Sequence, residues 1–331
     1  MKAMVIEEFG DSSVFVEREI EKPKVEPGCV LIHVQATSVN PIDTKIRSGA
    51  VSGIAPQFPA VLHGDVAGIV AEVGEGVTAF RVGDEVFGCP GGFKGTGGAL
   101  AEYMLADARL LAHKPKSLSM EEAAALPLVT ITAWESLFDR AKLKKDQHIL
   151  IHGATGGVGH VAIQLAKWTG ATVYTTASST EKLEIGQKLG ADVGINYREE
   201  SVSQYMDQYT DGKGFEVIFD TVGGKNLDSS FEAAALSGTV VTIAARSTHD
   251  LTPLHSKGLS FHVTFMLLKV IDEDQRHIHG EIIGQIAQIV EEGKLKPLVD
   301  AKTFSITEVS KAHEHLESGK AIGKIVLVNN W

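Results

Sequence analysis

The stretch Ile149–Lys167, ILIHGATGGVGHVAIQLAK, leads from an apolar strand through clustered glycines into an amphipathic helix. Small residues in such a turn let the backbone approach a pyrophosphate, and free N–H groups at the helix start stabilise its charge. Against the G-x-G-x-x-G fingerprint, Ala154 replaces the first glycine, while Gly156 and Gly159 hold the other two positions. The context favours a dinucleotide site over a tight turn that binds nothing. We expect the cofactor to contact the residues of this turn, Thr155, Gly156, Gly157 and Val158.

The chain around this turn alternates between strand and helix patterns from Gln147 onward. This rhythm predicts an α/β fold with a doubly wound parallel sheet. One of its helices is expected near Asn226–Leu236, followed by the strand GTVVTIAA. The preceding part reads instead as short strands broken by Gly and Pro, and the segment AEYMLADARLLAHKP is expected to form paired strands that end at Pro115.

Composition excludes several classes of protein. The formal net charge of −11, spread along the chain, opposes nonspecific binding to nucleic acid or to an anionic membrane surface. No segment approaches 18 uninterrupted apolar residues, and the N-terminus MKAMVIEEFG lacks the apolar run of a signal peptide. Cys29 and Cys89 cannot build a disulfide framework, although one bridge between them stays open. We expect a cytoplasmic protein that binds neither nucleic acid nor membrane.

The end of the second strand bears on which dinucleotide is bound. A site for NAD carries Asp or Glu there, about 20 residues after the glycines, to hold the ribose 2′-hydroxyl. Here the chain has Ser178 and Ser179, with Lys182 one turn into the helix, and hydroxyls with a cation suit a 2′-phosphate. A structural alternative is a capping box between Ser178 and Glu181, which needs no ligand. We favour NADP over NAD.

With these residues in view, the chain resembles the medium-chain dehydrogenase/reductase superfamily, and within it the zinc-free quinone oxidoreductase (zeta-crystallin-like) branch. The resemblance covers essentially the whole length. It rests on ordered matches that include SVNPIDTKIRSG, HGDVAGIVAEVGEGVTAFRVGDEVFG, LPLVTITAW, the glycine turn, KLGADVGINY, FDTVGG, EEGKLKPLVD and GKIVLV.

This resemblance implies a GroES-like, β-rich catalytic domain from residues 1–124 and 266–331 around a Rossmann NADP-binding domain at 125–265. NADPH would lie in the cleft between them, often in a homodimer. Lys182 and Tyr197 resemble the family's contacts to the 2′-phosphate. The neighbours of the nicotinamide half would be Thr130, Val222 and Ala244, and Asn40 would line the same cleft.

The same resemblance indicates that the catalytic metal is lost. Zinc-dependent members carry Cys-x-x-Asp where this chain has Asn40 to Asp43, and Gly64 replaces their ligand histidine. The third ligand, a cysteine, is missing from LPLVT, and catalytic zinc needs about three protein ligands. His63 is adjacent to the former ligand position, and we favour a structural histidine over an adventitious metal ligand. We expect no metal site.

Without a Lewis acid, hydride transfer suits an acceptor already activated by conjugation, such as a quinone or an α,β-unsaturated ketone or aldehyde. Charge that develops on the acceptor oxygen needs hydrogen-bond donors, and Asn40 is the candidate, although it also suits a turn before Pro41. Asp43 is the weaker catalytic candidate, because it can instead cap the turn or pair with Lys45 or Arg47. Val51 stands where enoyl-thioester reductases have a tyrosine, which argues against acyl-thioester substrates.

Three other functions compete with an NADPH-dependent quinone or enone reductase. The chain can be a noncatalytic NADPH-binding protein with a structural or regulatory role, which tight NADPH binding without turnover would favour. Single-strand RNA binding is disfavoured by the acidic balance and by the lack of an aromatic-basic platform. A zinc-dependent alcohol dehydrogenase is disfavoured by the missing ligands.

Overall fold

The computed structural model describes residues 1–331 and divides them into two units, Met1–Ile131 with Leu267–Trp331, and Thr132–Met266. The chain enters the first unit through β1 (Lys2–Ile6), β2 (Phe15–Glu19), β3 (Cys29–Ser38), α1 (Pro41–Arg47), β4 (Val66–Val73), β5 (Glu85–Gly88), β6 (Tyr103–Asp107), β7 (Leu111–His113), α2 (Met120–Ala124) and α3 (Pro127–Trp134). The last of these crosses the boundary between the units.

The second unit then alternates strand and helix, as expected. Its elements are β8 (His148–His152), α4 (Gly157–Thr169), β9 (Thr172–Ala177), α5 (Thr180–Lys188), β10 (Val193–Asn196), α6 (Val202–Thr210), β11 (Phe215–Asp220), α7 (Asn226–Ala233), β12 (Ala234–Thr242), α8 (Thr252–Lys257) and β13 (Ser260–Val263). The return segment adds α9 (Leu267–Ile271), α10 (Arg276–Glu291), β14 (Phe304–Ser305), α11 (Val309–Glu317) and β15 (Val326–Val328) to the first unit.

The first unit is built on a seven-stranded sheet in the order β14-β15-β3-β4-β5-β7, with β6 also paired to β3. The C-terminal strand β15 runs antiparallel to β3, with Leu327 opposite Thr37. Alternate residues of β3, among them Val30, Ile32 and Val34, are buried in the core of this sheet. Both ends of the chain therefore form one β-rich unit.

The second unit contains a six-stranded parallel sheet in the order β10-β9-β8-β11-β12-β13. The strand order reverses between β8 and β11, where Val217 lies opposite Ile149. The strand residues Leu150, Ile218 and Val240 are buried in one core cluster with residues of the helices. The predicted doubly wound parallel sheet is confirmed, and ligands of such sheets bind at the carboxyl ends of the strands beside this reversal.

Two predictions about individual elements are wrong. The strands β6 and β7 do not pair with each other, because β6 pairs with β3 and β7 with β5. A 3₁₀ turn, Ala108–Leu110, separates them, and the Asp107 side chain caps it. The helix predicted to reach Leu236 ends at Ala233, because Ala234 adopts an extended conformation and pairs with Phe215 of β11. Sheet pairing overrides the helix propensity of the alanines there.

Two further observations concern the chain as a whole. Cys29 and Cys89 are free thiols, which settles the alternative of a bridge between them. None of the helices combines the length and the apolarity that a bilayer crossing requires.

Candidate functional site

The glycine turn connects β8 to α4 at the point where the strand order reverses. Gly153 adopts a left-handed conformation with φ of +85°, and Gly156 is the residue at which α4 is capped. A Cβ atom on Gly159 would lie 2.0 Å from the carbonyl oxygen of Gly153, so the first turn of the helix packs directly on the loop. Gly156 is exposed, and the first N–H groups of a helix lack intrahelical partners. These residues therefore fit a dinucleotide pyrophosphate.

The ends of β9 and β10 bring the predicted 2′-phosphate contacts together. Asn196 lies opposite Ala177, and the Tyr197 N–H donates to the Ala177 carbonyl over 3.3 Å, so Ser178 and Tyr197 follow adjacent strand ends. Tyr197 is 56% exposed. Lys182 is half-buried in the first turn of α5 and forms no ion pair. The adjacent positions agree with a single anion site that combines hydroxyl groups and a cation.

The capping box suggested by the sequence is not formed. The residue that caps α5 is Ser179, whose hydroxyl accepts the Lys182 N–H over 3.5 Å, and not Ser178. The Ser178 side chain makes no hydrogen bond within the protein. A structural role as a helix cap, which needs no ligand, therefore accounts for Ser179 but not for Ser178. Sequence reasoning also missed Arg198, an exposed residue directly after Tyr197. Arg198 lies near the proposed 2′-phosphate site only because β10 ends beside β9, and the local sequence does not show this pairing.

The predicted nicotinamide neighbours of the second unit are also adjacent. Val222 follows β11 and Ala244 follows β12, and a Cβ on the intervening Gly223 would lie 2.3 Å from the Ala244 carbonyl oxygen. The buried carboxylate of Asp220 accepts the N–H groups of Val222 and Gly223, each over 2.8 Å. Asp220 therefore holds the loop that carries Val222, a role that sequence reasoning did not assign.

The remaining nicotinamide candidate, Thr130, lies in α3 and is completely buried. Its hydroxyl donates to the carbonyl oxygens of Leu126 over 2.8 Å and of Pro127 over 3.1 Å. This helix begins at Pro127, where the missing N–H costs nothing because the first helical residues lack partners in any case.

Asn40 belongs to a buried polar network in the first unit. The residue is 1% exposed, and its amide Nδ2 donates to Oδ2 of Asp65 over 2.8 Å. Its Oδ1 accepts a hydrogen bond from Nζ of Lys324, which also donates to the Val39 carbonyl over 3.0 Å and lies 3.3 Å from Asp65 Oδ2. A cation on the amide oxygen and a carboxylate on the amide nitrogen determine which way the amide points. One Asn40 N–H remains for a further acceptor.

Asp65 is the centre of this network. Besides Asn40 and Lys324, it accepts the Ser38 hydroxyl over 2.7 Å and the Leu128 N–H over 2.8 Å. Asp65 and Lys324 lie in the family motifs HGD and GKIVLV, but the sequence alone indicates no role for either residue. The two residues are 259 positions apart, so only the pairing of β15 with β3 brings them together.

Asp43 caps the start of α1. Its Oδ2 accepts the Asn40 N–H over 2.7 Å, whereas its Oδ1 has no hydrogen-bond partner. Burial raises the pKa of Asp43 to about 7, more than the Asn40 hydrogen bond lowers it. Of the alternatives for Asp43, the turn cap is present, while Arg47 pairs with Glu317 instead, over 2.7 Å.

The former zinc position offers no room for a ligand. A Cβ on Gly64 would lie 2.7 Å from Phe93, 2.8 Å from the Gly91 carbonyl oxygen and 2.9 Å from Cys89 Sγ. No group of three or more His, Cys, Asp or Glu side chains is arranged to hold a metal ion. The residues present therefore do not fit a catalytic zinc.

His63 is engaged on both ring nitrogens. Its Nε2 lies 2.9 Å from Nε2 of His313, and its Nδ1 lies 3.4 Å from Oγ1 of Thr37. Because Arg47 donates to Nδ1 of His313 over 3.2 Å, His313 carries its proton on Nε2 and donates to His63, which is protonated on Nδ1. His63 is therefore a structural histidine, in agreement with the interpretation favoured from sequence.

The same pair makes stability depend on pH. Burial, followed by Arg47, lowers the pKa of His313 to about 3, and burial, followed by His313, holds the pKa of His63 well below its usual range. Below pH about 6.5 His313 and His63 bind protons in the unfolded chain but stay neutral in the folded chain. The free energy of unfolding therefore falls as the pH falls. Lowering the pH from 7.5 to 5 is expected to lower the free energy of unfolding by about 2 kcal/mol through His313 alone.

Urea unfolding of the wild type and of His313→Gln at pH 5 and pH 7.5 measures this cost. The variant should lose about 2 kcal/mol less than the wild type over this interval. Asp43 acts in the opposite direction, because its raised pKa lets the folded chain gain a proton as the pH falls below about 7, but its contribution is common to both proteins. The exposed His277→Gln serves as the control. Equal pH dependence in wild type and His313→Gln would contradict the assignment.

Comparisons with known proteins place these features in context. The chain matches the alcohol dehydrogenase GroES-like domain over residues 26–116 and the zinc-binding dehydrogenase family over residues 189–327. It is 36% identical to 2-methylene-furan-3-one reductase of Solanum lycopersicum, over 99% of this chain and 79% of that protein. It is 31% identical to human quinone oxidoreductase, over 99% of this chain and 98% of that protein.

A solved structure of similar fold is Escherichia coli quinone oxidoreductase complexed with NADPH. It superimposes with a TM-score of 0.88 at 27% identity, covering 99% of this chain and 100% of that chain. The similarity therefore extends across both units.

Proposed function

The chain belongs to the medium-chain dehydrogenase/reductase superfamily, in its quinone oxidoreductase branch, and from this premise we propose that it is an NADPH-dependent, zinc-independent reductase of quinones or α,β-unsaturated carbonyl compounds. One observation carries the proposal: the chain combines a Rossmann glycine turn with a catalytic unit in which Gly64 has no space for a metal ligand. The reductases and quinone oxidoreductases among the relatives support it.

The cofactor is proposed to be held in three parts. The turn residues Thr155, Gly156, Gly157 and Val158 bind the pyrophosphate through backbone N–H groups. Ser178, Ser179, Lys182 and Tyr197 surround the 2′-phosphate, and Ser178 carries more of the hydroxyl contribution because Ser179 is occupied as a helix cap. Val222 and Ala244 of the unit Thr132–Met266 are proposed to contact the nicotinamide half. Thr130 and Asn40 are each proposed as cofactor-binding residues of the unit Met1–Ile131 with Leu267–Trp331. When bound, NADPH supplies the hydride.

The chemistry of the acceptor follows from the donor groups present. No Lewis acid polarises an unactivated carbonyl, so the acceptor is one in which conjugation already lowers the barrier to hydride addition. Asn40 is proposed to donate its remaining N–H to the acceptor oxygen, with the amide oriented by Lys324 and Asp65. Asp43 is proposed to be a positioning residue, because it holds the Asn40 backbone and not the reacting atoms.

The test is NADPH oxidation by metal-stripped protein. The acceptors are 1,4-benzoquinone, 9,10-phenanthrenequinone and a 2-alkenal, with NADH as the cofactor control. Turnover with NADPH that exceeds turnover with NADH is expected, and the preferred acceptor separates quinone from alkene reduction. NADPH binding without turnover of any acceptor would contradict the proposal and favour a noncatalytic NADPH-binding protein.

The protein is further proposed to be a cytoplasmic homodimer. Strand β13 is at the edge of the parallel sheet, and an open strand edge can pair with another chain. Val263 on this strand and Phe265 after it are 45% and 38% exposed. Two free thiols suit a reducing compartment. Sedimentation equilibrium at micromolar concentration distinguishes a dimer from a monomer.

A further inference from the structure

A serine, a histidine and an aspartate form a hydrogen-bonded chain beside the nicotinamide end of the Rossmann sheet. Oγ of Ser247 lies 2.5 Å from Nε2 of His249, and Nδ1 of His249 lies 2.7 Å from Oδ1 of Asp228. None of the three residues belongs to a motif that the sequence displays. In this arrangement a hydroxyl, an imidazole and a carboxylate can pass a proton along one line.

His249, in the middle of this hydrogen-bonded series, is held firmly, whereas Ser247 and Asp228 at its two ends reach solvent. The His249 side chain is 9% exposed, and its ring meets that of Phe231 edge to face with a centroid separation of 6.1 Å. Ser247 is exposed, and the Asp228 side chain is 59% exposed. A buried imidazole between an exposed hydroxyl and an exposed carboxylate can deliver a proton at one end and be replenished from water.

These three hydrogen-bonded residues lie where the nicotinamide half of the cofactor is proposed to bind. Asp228 is in the first turn of α7, which follows β11, and Ser247 is in the loop that follows β12. The loop that leads from β11 to α7 and the loop that follows β12 both start at the carboxyl ends of parallel strands, where ligands of such sheets bind. Ser247 is three residues beyond Ala244, which places its Cα within about 10 Å of that of the proposed nicotinamide neighbour.

We infer that Ser247, His249 and Asp228 are the proton relay of the reductase, with Ser247 as the group that protonates the reduced acceptor. The inference rests on the proposed function. For an α,β-unsaturated carbonyl compound, hydride addition forms a C–H bond at the β-carbon, and the alkene electron pair moves to the carbonyl to give an enolate. The Ser247 O–H bond then breaks as its proton forms the new C–H bond at the α-carbon.

The protein returns to its starting state in two proton transfers. The relay requires the imidazolium form of His249, which donates to Asp228 through Nδ1 and to Ser247 through Nε2. The Asp228 carboxylate stabilises the imidazolium of His249. As Ser247 releases its proton to the substrate, the proton on Nε2 of His249 passes to Oγ of Ser247. Solvent then reprotonates the imidazole. One hydride and one proton are consumed for each saturated carbonyl compound formed.

The experiment uses the holoenzyme with NADPH and a 2-alkenal. Ser247→Ala and His249→Ala should each lower kcat at least tenfold, since general acid catalysis is typically worth 10²–10⁴-fold and water replaces part of it. The KM for NADPH should stay within about twofold, Ser247→Thr should retain activity, and added imidazole should restore His249→Ala. Ser256→Ala, an exposed serine of α8, is the matched control.

A readout independent of turnover is the low-field imidazole N–H resonance of His249 in the proton NMR spectrum. This resonance should be present in the wild type and lost in Asp228→Asn. Unchanged kcat in Ser247→Ala and His249→Ala, with a wild type that reduces the alkenal, would overturn the relay alone. Lost activity that imidazole does not restore, with weakened NADPH binding, would show a structural role and overturn it too. A wild type that reduces no acceptor would overturn the proposed function itself.

Discussion

Replacing Lys324 with methionine is expected to lower the free energy of unfolding by about 3–5 kcal/mol. The ammonium group is buried with the Asp65 carboxylate, 3.3 Å from Oδ2, and it also satisfies the Val39 carbonyl and the Asn40 amide oxygen. Methionine fills a similar volume but leaves Asp65 as a buried charge without its cation. Urea unfolding at pH 7.5 measures the loss.

Two further variants make this prediction specific. Lys320→Met removes an exposed lysine four residues earlier and should change stability by less than about 0.5 kcal/mol. The double variant Asp65→Asn/Lys324→Met removes both charges and should recover at least half of the loss, because a neutral pair avoids the uncompensated buried charge. A Lys324→Met protein as stable as the wild type would show that Asp65 does not need its cation.

Replacing Lys182 with alanine is expected to weaken NADPH binding by roughly 10- to 100-fold while leaving NADH affinity almost unchanged. One charge-assisted contact to a phosphate is worth about 1.5–3 kcal/mol, and each 1.4 kcal/mol is a factor of ten. NADH lacks the 2′-phosphate, so it loses nothing. Calorimetric titration of both cofactors gives the two affinities.

Lys188→Ala is the matched control for this prediction, because it removes an exposed lysine from the last turn of the same helix, α5. It should leave both affinities within about twofold of the wild type. If Lys182→Ala weakens both cofactors equally, Lys182 is structural and the 2′-phosphate is bound elsewhere. Preserved NADPH affinity would transfer the cation role to Arg198, beside Tyr197.

The Rossmann sheet and its glycine turn were predictable from sequence because their signals are local. Gly156 and Gly159 lie within one strand–turn–helix, where the backbone itself requires small residues. The ligand-free alternative placed the cap of α5 on Ser178, one residue before the observed Ser179, since serines at both positions are equally good caps and the end of β9 decides between them. The end of α7 depended likewise on the pairing of Ala234 with β11.

The buried network around Asn40 was decided by the tertiary structure. Lys324 and Asp65 look like ordinary charged residues in the sequence, and they form a pair only because β15 crosses the chain to lie beside β3. The relay is similar, because Asp228 is 21 residues from His249 and only the adjacent ends of β11 and β12 bring them into contact. Periodicity and turn chemistry encode neighbours along the chain, whereas hydrogen bonds between distant charges depend on the packing of strands, which no local pattern specifies.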